Sequence, residues 1–177
     1  DVKLPQQVKD STDGSIAWAQ STNPTKFLKQ ENARTAEHGL EGVGLYATEP
    51  IKDLEELLSK WESINYTTTD FMIDSLNVAE SDMILESENV FHSLFIDRSK
   101  NVVYSEAISD SEYIAASQRS AYSTHGIRVD DSIKCGNCFG VSRSANLTNC
   151  IMMHDCGNMQ DSMFCSNMNG RQYCIAN

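Results

Sequence analysis

One class of small or aliphatic residues recurs at every third position from Met72 to Cys174. The class comprises Ser, Val, Ile, Cys, Met, Leu and Gly, and Arg171 is its one exception. All six cysteines of the chain lie in this register. A period of three matches neither the turn of a helix nor the alternation of a strand. The pattern is typical of a repeat that coils around a narrow axis, so it constrains the fold more than the function.

A longer period of twelve residues appears within this register. It links Val78, Val90, Val102 and Ile114, and likewise Ser81, Ser93, Ser105 and Ser117. We therefore predict an all-β repeat, a β-solenoid with coils of about twelve rather than about eighteen residues and four inward residues per coil. Inward serines need partners, which we expect to be backbone carbonyls or the serine of the next coil.

Three further features of the repeat lead to predictions. Asn77, Asn89 and Asn101 also recur at twelve, which predicts a ladder of side-chain amides on the outside. Between residues 118 and 131 small residues replace large ones in the register, so this part forms either a thin coil or a loop. Outward apolar residues occur at Met83, Phe91, Phe95 and Val103, and they would make a subunit contact if they lined one face.

The chain divides into three regions by sequence pattern: residues 1–47, 48–70 and 71–177, the last being cysteine-rich from residue 135. Residues 1–47 show no sustained period and contain turn-forming stretches, which indicates either a loose tail or an extended arm that orders on a partner protein. In the second interpretation the partner-binding anchors are Ile16, Trp18, Phe27, Leu28, Leu45 and Tyr46.

Residues 50–64 are predicted to form a helix. Pro50 suits the first turn, and acidic residues near the start favour the positive end of the helix dipole. The apolar residues Leu54, Leu57, Leu58, Trp61 and Ile64 form one stripe at helical spacing. Because the end of a solenoid exposes strand edges and core residues, we expect this helix to cover the N-terminal end of the repeat.

The cysteines have three possible roles. A single Cys135-x-x-Cys138 pair without a second pair at zinc-ribbon spacing is weak evidence for a metal site. The favoured interpretation is that thiols fill the lumen in place of serines, because Cys138 and Cys150 lie in a twelve-residue column with Ser162. A disulfide between Cys150 and Cys156, across one coil, is the next alternative. We predict neither a metal site nor a cofactor.

Charge and motifs limit the function. A net charge of −11 disfavours binding to nucleic acid through phosphates, although it leaves open an acidic DNA mimic that inhibits a DNA-binding protein. No run of 18 apolar residues is present, so no membrane partner is expected. His154 lies near Cys156, but an inward thiol would be turned away from the imidazole. We therefore expect no enzymatic activity.

Two resemblances follow from these residues. The coil is similar to that of beetle-type antifreeze solenoids, but the outward Thr-x-Thr ladders of that family are missing here. The segments Ser75-Leu76-Asn77-Val78, Cys135-Gly136-Asn137-Cys138 and Tyr173-Cys174-Ile175-Ala176-Asn177 resemble a poorly characterised group of Cys-, Ser- and Asn-rich solenoid proteins of tailed phages and small-genome bacteria. This resemblance implies a structural protein of the virion, associated with a capsid or tail, that docks on a protein assembly through its N-terminal arm; the alternative location is the cytoplasm.

Overall fold

The computed structural model describes residues 2–22, 25–38, 50–121, 123–129, 132–152, 154–164 and 170–175. The chain divides into two compact units. One unit comprises Gln6–Phe71, and the other comprises residues from Met72 onward together with the first five residues. Each unit has its own core and is described separately below.

The N-terminal unit is built from short strands and two helices. Its elements are β1 (Gln6–Lys9), β2 (Ile16–Ala19), β3 (Lys26–Lys29), α1 (Gln30–His38), α2 (Leu54–Ile64) and β4 (Tyr66–Thr69). Strands β1 and β2 form an antiparallel hairpin, and β3 pairs with β4 in parallel. Val8, Ala17 and Ala19 form a small core against which Phe27 packs.

These strands correct the expectation of an extended arm over residues 1–47. The described part of that segment folds onto itself, and β3 is held by a strand about 40 residues further along the chain. Such a non-local pairing leaves no periodic signal in a segment of mixed polarity. Helix α1 was not predicted because it is polar and has no row of apolar residues at helical spacing.

Helix α2 begins four residues later than Pro50. The side chain of Asp53 is the N-cap and accepts a hydrogen bond from the backbone N–H of Glu56 at 2.8 Å. The apolar face of α2 is largely exposed to solvent: Leu54 is 68%, Leu58 62% and Trp61 48% exposed. Leu57 is half-buried, and the side chain of Ile64 lies outside the described residues.

The second unit is the predicted β-solenoid. Its strands are β5 (Met72–Ile73), β6 (Leu76–Ala79), β7 (Asp82–Leu85), β8 (Glu88–Phe91), β9 (Leu94–Asp97), β10 (Lys100–Val103), β11 (Glu106–Ser109), β12 (Glu112–Ala115), β13 (Met159–Gln160) and β14 (Arg171–Gln172). The first eight alternate between two four-stranded parallel sheets, in the orders β5-β7-β9-β11 and β6-β8-β10-β12. Pairs such as Val90↔Val102↔Ile114 advance by twelve residues, which confirms the predicted coil.

The lumen of the first coils contains the predicted register residues. The first core cluster consists of two buried columns: Ile84, Ile96 and Ile108, and Val90, Val102 and Ile114. A second core cluster follows along the chain and contains Val129, Cys135, Cys138, Val141, Leu147, Cys150 and Met159. Beyond Ala115 the coils are joined by isolated bridges, for example Ala115↔Ile127 and Ala121↔Ile133. The strand-paired part of the solenoid therefore has about four turns, and the winding continues in less regular form.

The small residues between 118 and 131 form a thin coil. A Cβ atom on Gly126 would lie 2.6 Å from Cγ2 of Val129, so the lumen has no room for a side chain at this point. The Ser117 and Ser120 hydroxyls are 2.7 Å apart and bridge the narrowed interior. Of the two alternatives from the sequence, the described residues of this region fit the coil.

A positive φ at every third residue produces the tight winding. Examples from successive positions are Met83, Glu86, Asn89 and His92, with φ between 44° and 61°. Asparagine tolerates this left-handed conformation well, whereas residues such as Met83 adopt it at a cost of about 1 kcal/mol or more each. The strain is offset by the continuous hydrogen-bonded stack, since each coil satisfies the backbone groups of the next.

Candidate functional site

The inward serines form two hydrogen-bonded ladders. The hydroxyl of Ser81 donates to the carbonyl oxygen of Ala79 at 2.8 Å and accepts the backbone N–H of Ser93 at 3.1 Å. The same arrangement recurs at Ser87, Ser93, Ser99 and Ser105. This confirms the prediction that inward serines bond to backbone carbonyls and to the next coil. The hydroxyls of these inward serines are paired, so the ladders support the rigidity of the solenoid.

Cysteines occupy inward positions further along the solenoid, where Cys138 continues the twelve-residue column of Val102 and Ile114. The thiol of Cys138 donates to the carbonyl oxygen of Gly136 at 3.0 Å, and the thiol of Cys150 donates to that of Thr148 at 3.2 Å. Both bonds go to the residue two positions earlier, as they do from the serines. Cys135, Cys138 and Cys150 are buried in one core cluster. This geometry matches the interpretation of the cysteines as lumen filling.

The Cys150–Cys156 disulfide is not present in the structure. Cys135, Cys138, Cys150, Cys156 and Cys174 are free thiols, and Cys165 lies outside the described residues. The thiol of Cys150 instead contacts those of Cys135 and Cys138. Hydrogen bonds with these two thiols, together with burial, raise the pKa of Cys150 well above its usual range. The same contacts lower the pKa of the Cys138 thiol.

A metal site is not supported by the described part of the chain. Among those residues, no group of three or more His, Cys, Asp or Glu is arranged to hold a metal ion. The Cys156 thiol is half-buried, and burial raises its pKa, whereas His154 is exposed. An exposed imidazole beside a protonated thiol is a poor arrangement for nucleophilic catalysis.

We predict that Ser99→Ala lowers the free energy of unfolding by about 2 kcal/mol, because it leaves the buried N–H of Ser111 without its acceptor. Ser99→Cys should lose less, since the Cys138 thiol makes the same bond to the carbonyl oxygen two residues earlier. Urea unfolding followed by circular dichroism measures both. Ser109→Ala, an outward serine in the same part of the solenoid, is the control. A loss at Ser109 equal to that at Ser99 would contradict the role of the ladder.

Polar columns occupy most of the outside of the solenoid. The amide of Asn77 donates to Asn89 at 3.0 Å, and that of Asn89 donates to Asn101 at 2.9 Å, which confirms the predicted ladder. Arg98 makes two hydrogen bonds to Asp110, at 2.7 and 2.9 Å. Arg98 interrupts a column of acidic residues, so the negative charge is not evenly spaced as it is along DNA.

One outward column is apolar along the whole described repeat. We call it the apolar stripe, and it consists of Ala79, Phe91, Val103, Ala115, Ile127, Phe139, Ile151, Met163 and Ile175. Strand pairs and bridges join several neighbours, among them Phe91↔Val103, Val103↔Ala115 and Ala115↔Ile127. Ile127, Phe139 and Ile175 are 55%, 45% and 73% exposed, and the other large side chains of the stripe are half-buried. A continuous apolar column of this length marks an interaction surface.

The sequence indicated only part of this stripe. Phe91 and Val103 were noted, but Met83 and Phe95 belong to the other sheet, so the four residues do not line one face. A search for apolar residues at twelve-residue spacing would have found the stripe, because every twelfth residue from Ala79 to Ile175 is apolar.

The predicted anchors of the N-terminal region occupy different environments. Ile16 is exposed, whereas Trp18 and Leu28 are half-buried and Phe27 packs on the hairpin core. The backbone N–H of Trp18 donates to Asp70 at 2.7 Å. Leu45 and Tyr46 lie outside the described residues. These side chains therefore do not form one exposed set, and three of the six exposed large apolar residues described in this unit lie on α2.

No protein-family model, no curated protein and no solved structure matches this chain. Neither described helix has the length and apolar character needed to cross a membrane.

Proposed function

We propose that the chain is a non-enzymatic structural protein, a capsid- or tail-associated component of a tailed-phage particle. In this proposal it docks on a protein assembly through its N-terminal unit, while the solenoid serves as a rigid extension. Its partners are protein subunits rather than nucleic acid or membrane.

The exposed face of α2 is the observation that carries the proposal. Leu54, Leu58 and Trp61 lie on one face of the helix and are exposed to solvent. Burying each of them against a partner would contribute about 1.5–3 kcal/mol. An amphipathic helix with an uncovered apolar face is a common element of protein docking, and Trp is enriched at the centres of such contacts.

The solenoid supports the structural role in a second way. The inward serines of its described coils use their hydroxyls to join one coil to the next, which suits a rigid structural element. The competing proposal of a DNA mimic is weakened by the ion pairs of Arg98 with Asp110 and of Lys100 with Glu88. Each places a cation in a row of carboxylates that a DNA mimic would keep negative.

We expect the triple variant Leu54→Ser, Leu58→Ser, Trp61→Ser to enter phage particles at least about tenfold less than wild type, since removing even one well-buried side chain costs that much affinity. Quantitative mass spectrometry of particles purified from the natural source measures incorporation. Circular dichroism checks that the variant is folded, which we expect because these side chains are exposed.

The double variant Glu55→Ser, Ser59→Ala is the matched control, because both residues are exposed on the same helix but lie outside its apolar face. It should enter particles at the wild-type level. The docking role would be rejected if the triple variant also did so. If wild-type protein were absent from particles, the assignment to the virion would be wrong.

A further inference from the structure

The apolar stripe is a surface that the docking of α2 does not use. It lies on the solenoid unit alone and runs over nine successive coil positions from Ala79 to Ile175. We propose that it pairs with the same stripe of a second copy of this chain, and that the two solenoids lie antiparallel with the two-fold axis at Ala115.

Charge selects the antiparallel orientation. Between residues 72 and 95 the solenoid carries five carboxylates and no Lys or Arg: Asp74, Glu80, Asp82, Glu86 and Glu88. A parallel pair would place these two acidic ends side by side, within the distance at which charges still repel. In the antiparallel pair this end lies opposite residues 135–158, which contain one Arg and one Asp and are neutral in sum.

Side-chain size selects the register. Ala115 and its neighbour Ala116 are small, so two copies can approach closely where they meet the axis. The members from Ala79 to Ile151 then pair as Val103 with Ile127, Phe91 with Phe139 and Ala79 with Ile151, and Met163 and Ile175 lie beyond the paired part. The two phenylalanines add an aromatic contact, and a small residue faces a large one at the outer pair.

The residues beside the stripe favour the same register. With the axis at Ala115, the exposed ring of Tyr104 faces Arg128 of the second copy, a favourable cation–π arrangement. An axis one coil further along, at Ile127, would bring Arg128 against its own copy, and the two like charges would repel.

The available area is sufficient for a specific contact. From Ala79 to Ile151 the paired stripes span six coil steps, about 30 Å at the spacing of adjacent strands. With one column on either side the face is about 20 Å wide, so the two copies together bury about 1,200 Å², the lower end of specific interfaces. We therefore expect an association in the micromolar range rather than a permanent dimer.

Sedimentation of the full-length protein tests the pairing. Wild type should change from monomer to dimer as its concentration rises through the micromolar range. Ala115→Glu places two carboxylates together on the axis and should weaken the dimer about a hundredfold. Thr124→Glu, an exposed residue outside the stripe, adds the same charge and should leave the dimer unchanged.

One cysteine added to the six native ones, at a position in the stripe, tests orientation and register under mild oxidation. Ala115→Cys should cross-link to itself, whereas Ile127→Cys should cross-link only when mixed with Val103→Cys. Self-linking at all three positions would demonstrate a parallel pair, and self-linking at residue 127 alone would place the axis there; either result overturns the proposal.

A monomeric wild type at about 100 μM, or an Ala115→Glu variant that stays dimeric, overturns it as well, because a micromolar interface is mostly occupied at that concentration. These outcomes do not depend on α2, so they are separate from those that test docking.

Discussion

Replacing Ile96 by alanine should lower the free energy of unfolding by about 3 kcal/mol, one of the largest losses that a single side chain of the solenoid can cause. Ile96 is 1% exposed and lies in the lumen between Ile84 and Ile108 of the adjacent coils. The ladder of backbone bonds fixes the spacing of these coils, so the walls cannot collapse into the cavity. The loss therefore includes both the transfer and the cavity terms.

Urea unfolding followed by far-ultraviolet circular dichroism measures this effect. Ile133→Ala is the matched control, since Ile133 is exposed on the outside of the same solenoid, and it should change stability by less than about 0.5 kcal/mol. A loss at Ile96 below about 1 kcal/mol would mean that the lumen is loosely packed, contrary to the structure.

Replacing Asp10 by asparagine should lower the stability of the N-terminal unit by about 3 kcal/mol, because several donors lose a charged acceptor at once. One carboxylate oxygen accepts hydrogen bonds from the N–H and hydroxyl of Thr12. The other accepts from the backbone N–H of Lys29 at 2.7 Å and from the amide of Asn32 at 2.9 Å. Asparagine offers one oxygen only and directs its own N–H groups at these donors.

The same network makes the stability depend on pH. Burial alone would raise the pKa of Asp10, but the hydrogen bonds from Thr12, Lys29 and Asn32 outweigh it and hold the pKa well below its usual range. A lowered folded-state pKa stabilises the protein above the unfolded pKa of about 3.9, and this contribution is lost as the pH falls below that value. Wild type should thus lose stability on acidification more steeply than Asp10→Asn.

Thermal unfolding between pH 6 and pH 2.5 compares the two proteins. Glu31→Gln removes one exposed carboxylate from the same unit and should retain the wild-type pH dependence and stability within about 0.5 kcal/mol. Equal acid sensitivity of wild type and Asp10→Asn would show that the buried carboxylate does not control the transition.

The solenoid was predictable because every coil places the same requirement on its inward residues. Each inward position must be small or aliphatic, so the register of three defined the lumen, and the twelve-residue columns defined the neighbours of each residue. Partners of the serines and of Asn89 followed from the stacking, since a residue in one coil faces its counterpart in the next. Such one-dimensional order needs only nearest-neighbour contacts.

The N-terminal unit was less predictable because its contacts are not local. The carboxylate of Asp10 joins the hairpin to Lys29 and Asn32, and no spacing in the sequence indicates those partners. The helix was expected from its apolar residues, but it begins at Leu54 rather than at Pro50, because the Asp53 side chain caps it by accepting a hydrogen bond from the N–H of Glu56. The apolar stripe was missed because its members are far apart until the coil is wound.

A coil of twelve residues also makes length a stepwise property of this protein. Duplication or loss of twelve residues adds or removes one layer of about 4.8 Å and keeps every column in phase. A change of one or two residues turns lumen side chains outward and would be eliminated by selection. The length of the solenoid can therefore change in evolution by whole coils, while its two ends keep the same sequence.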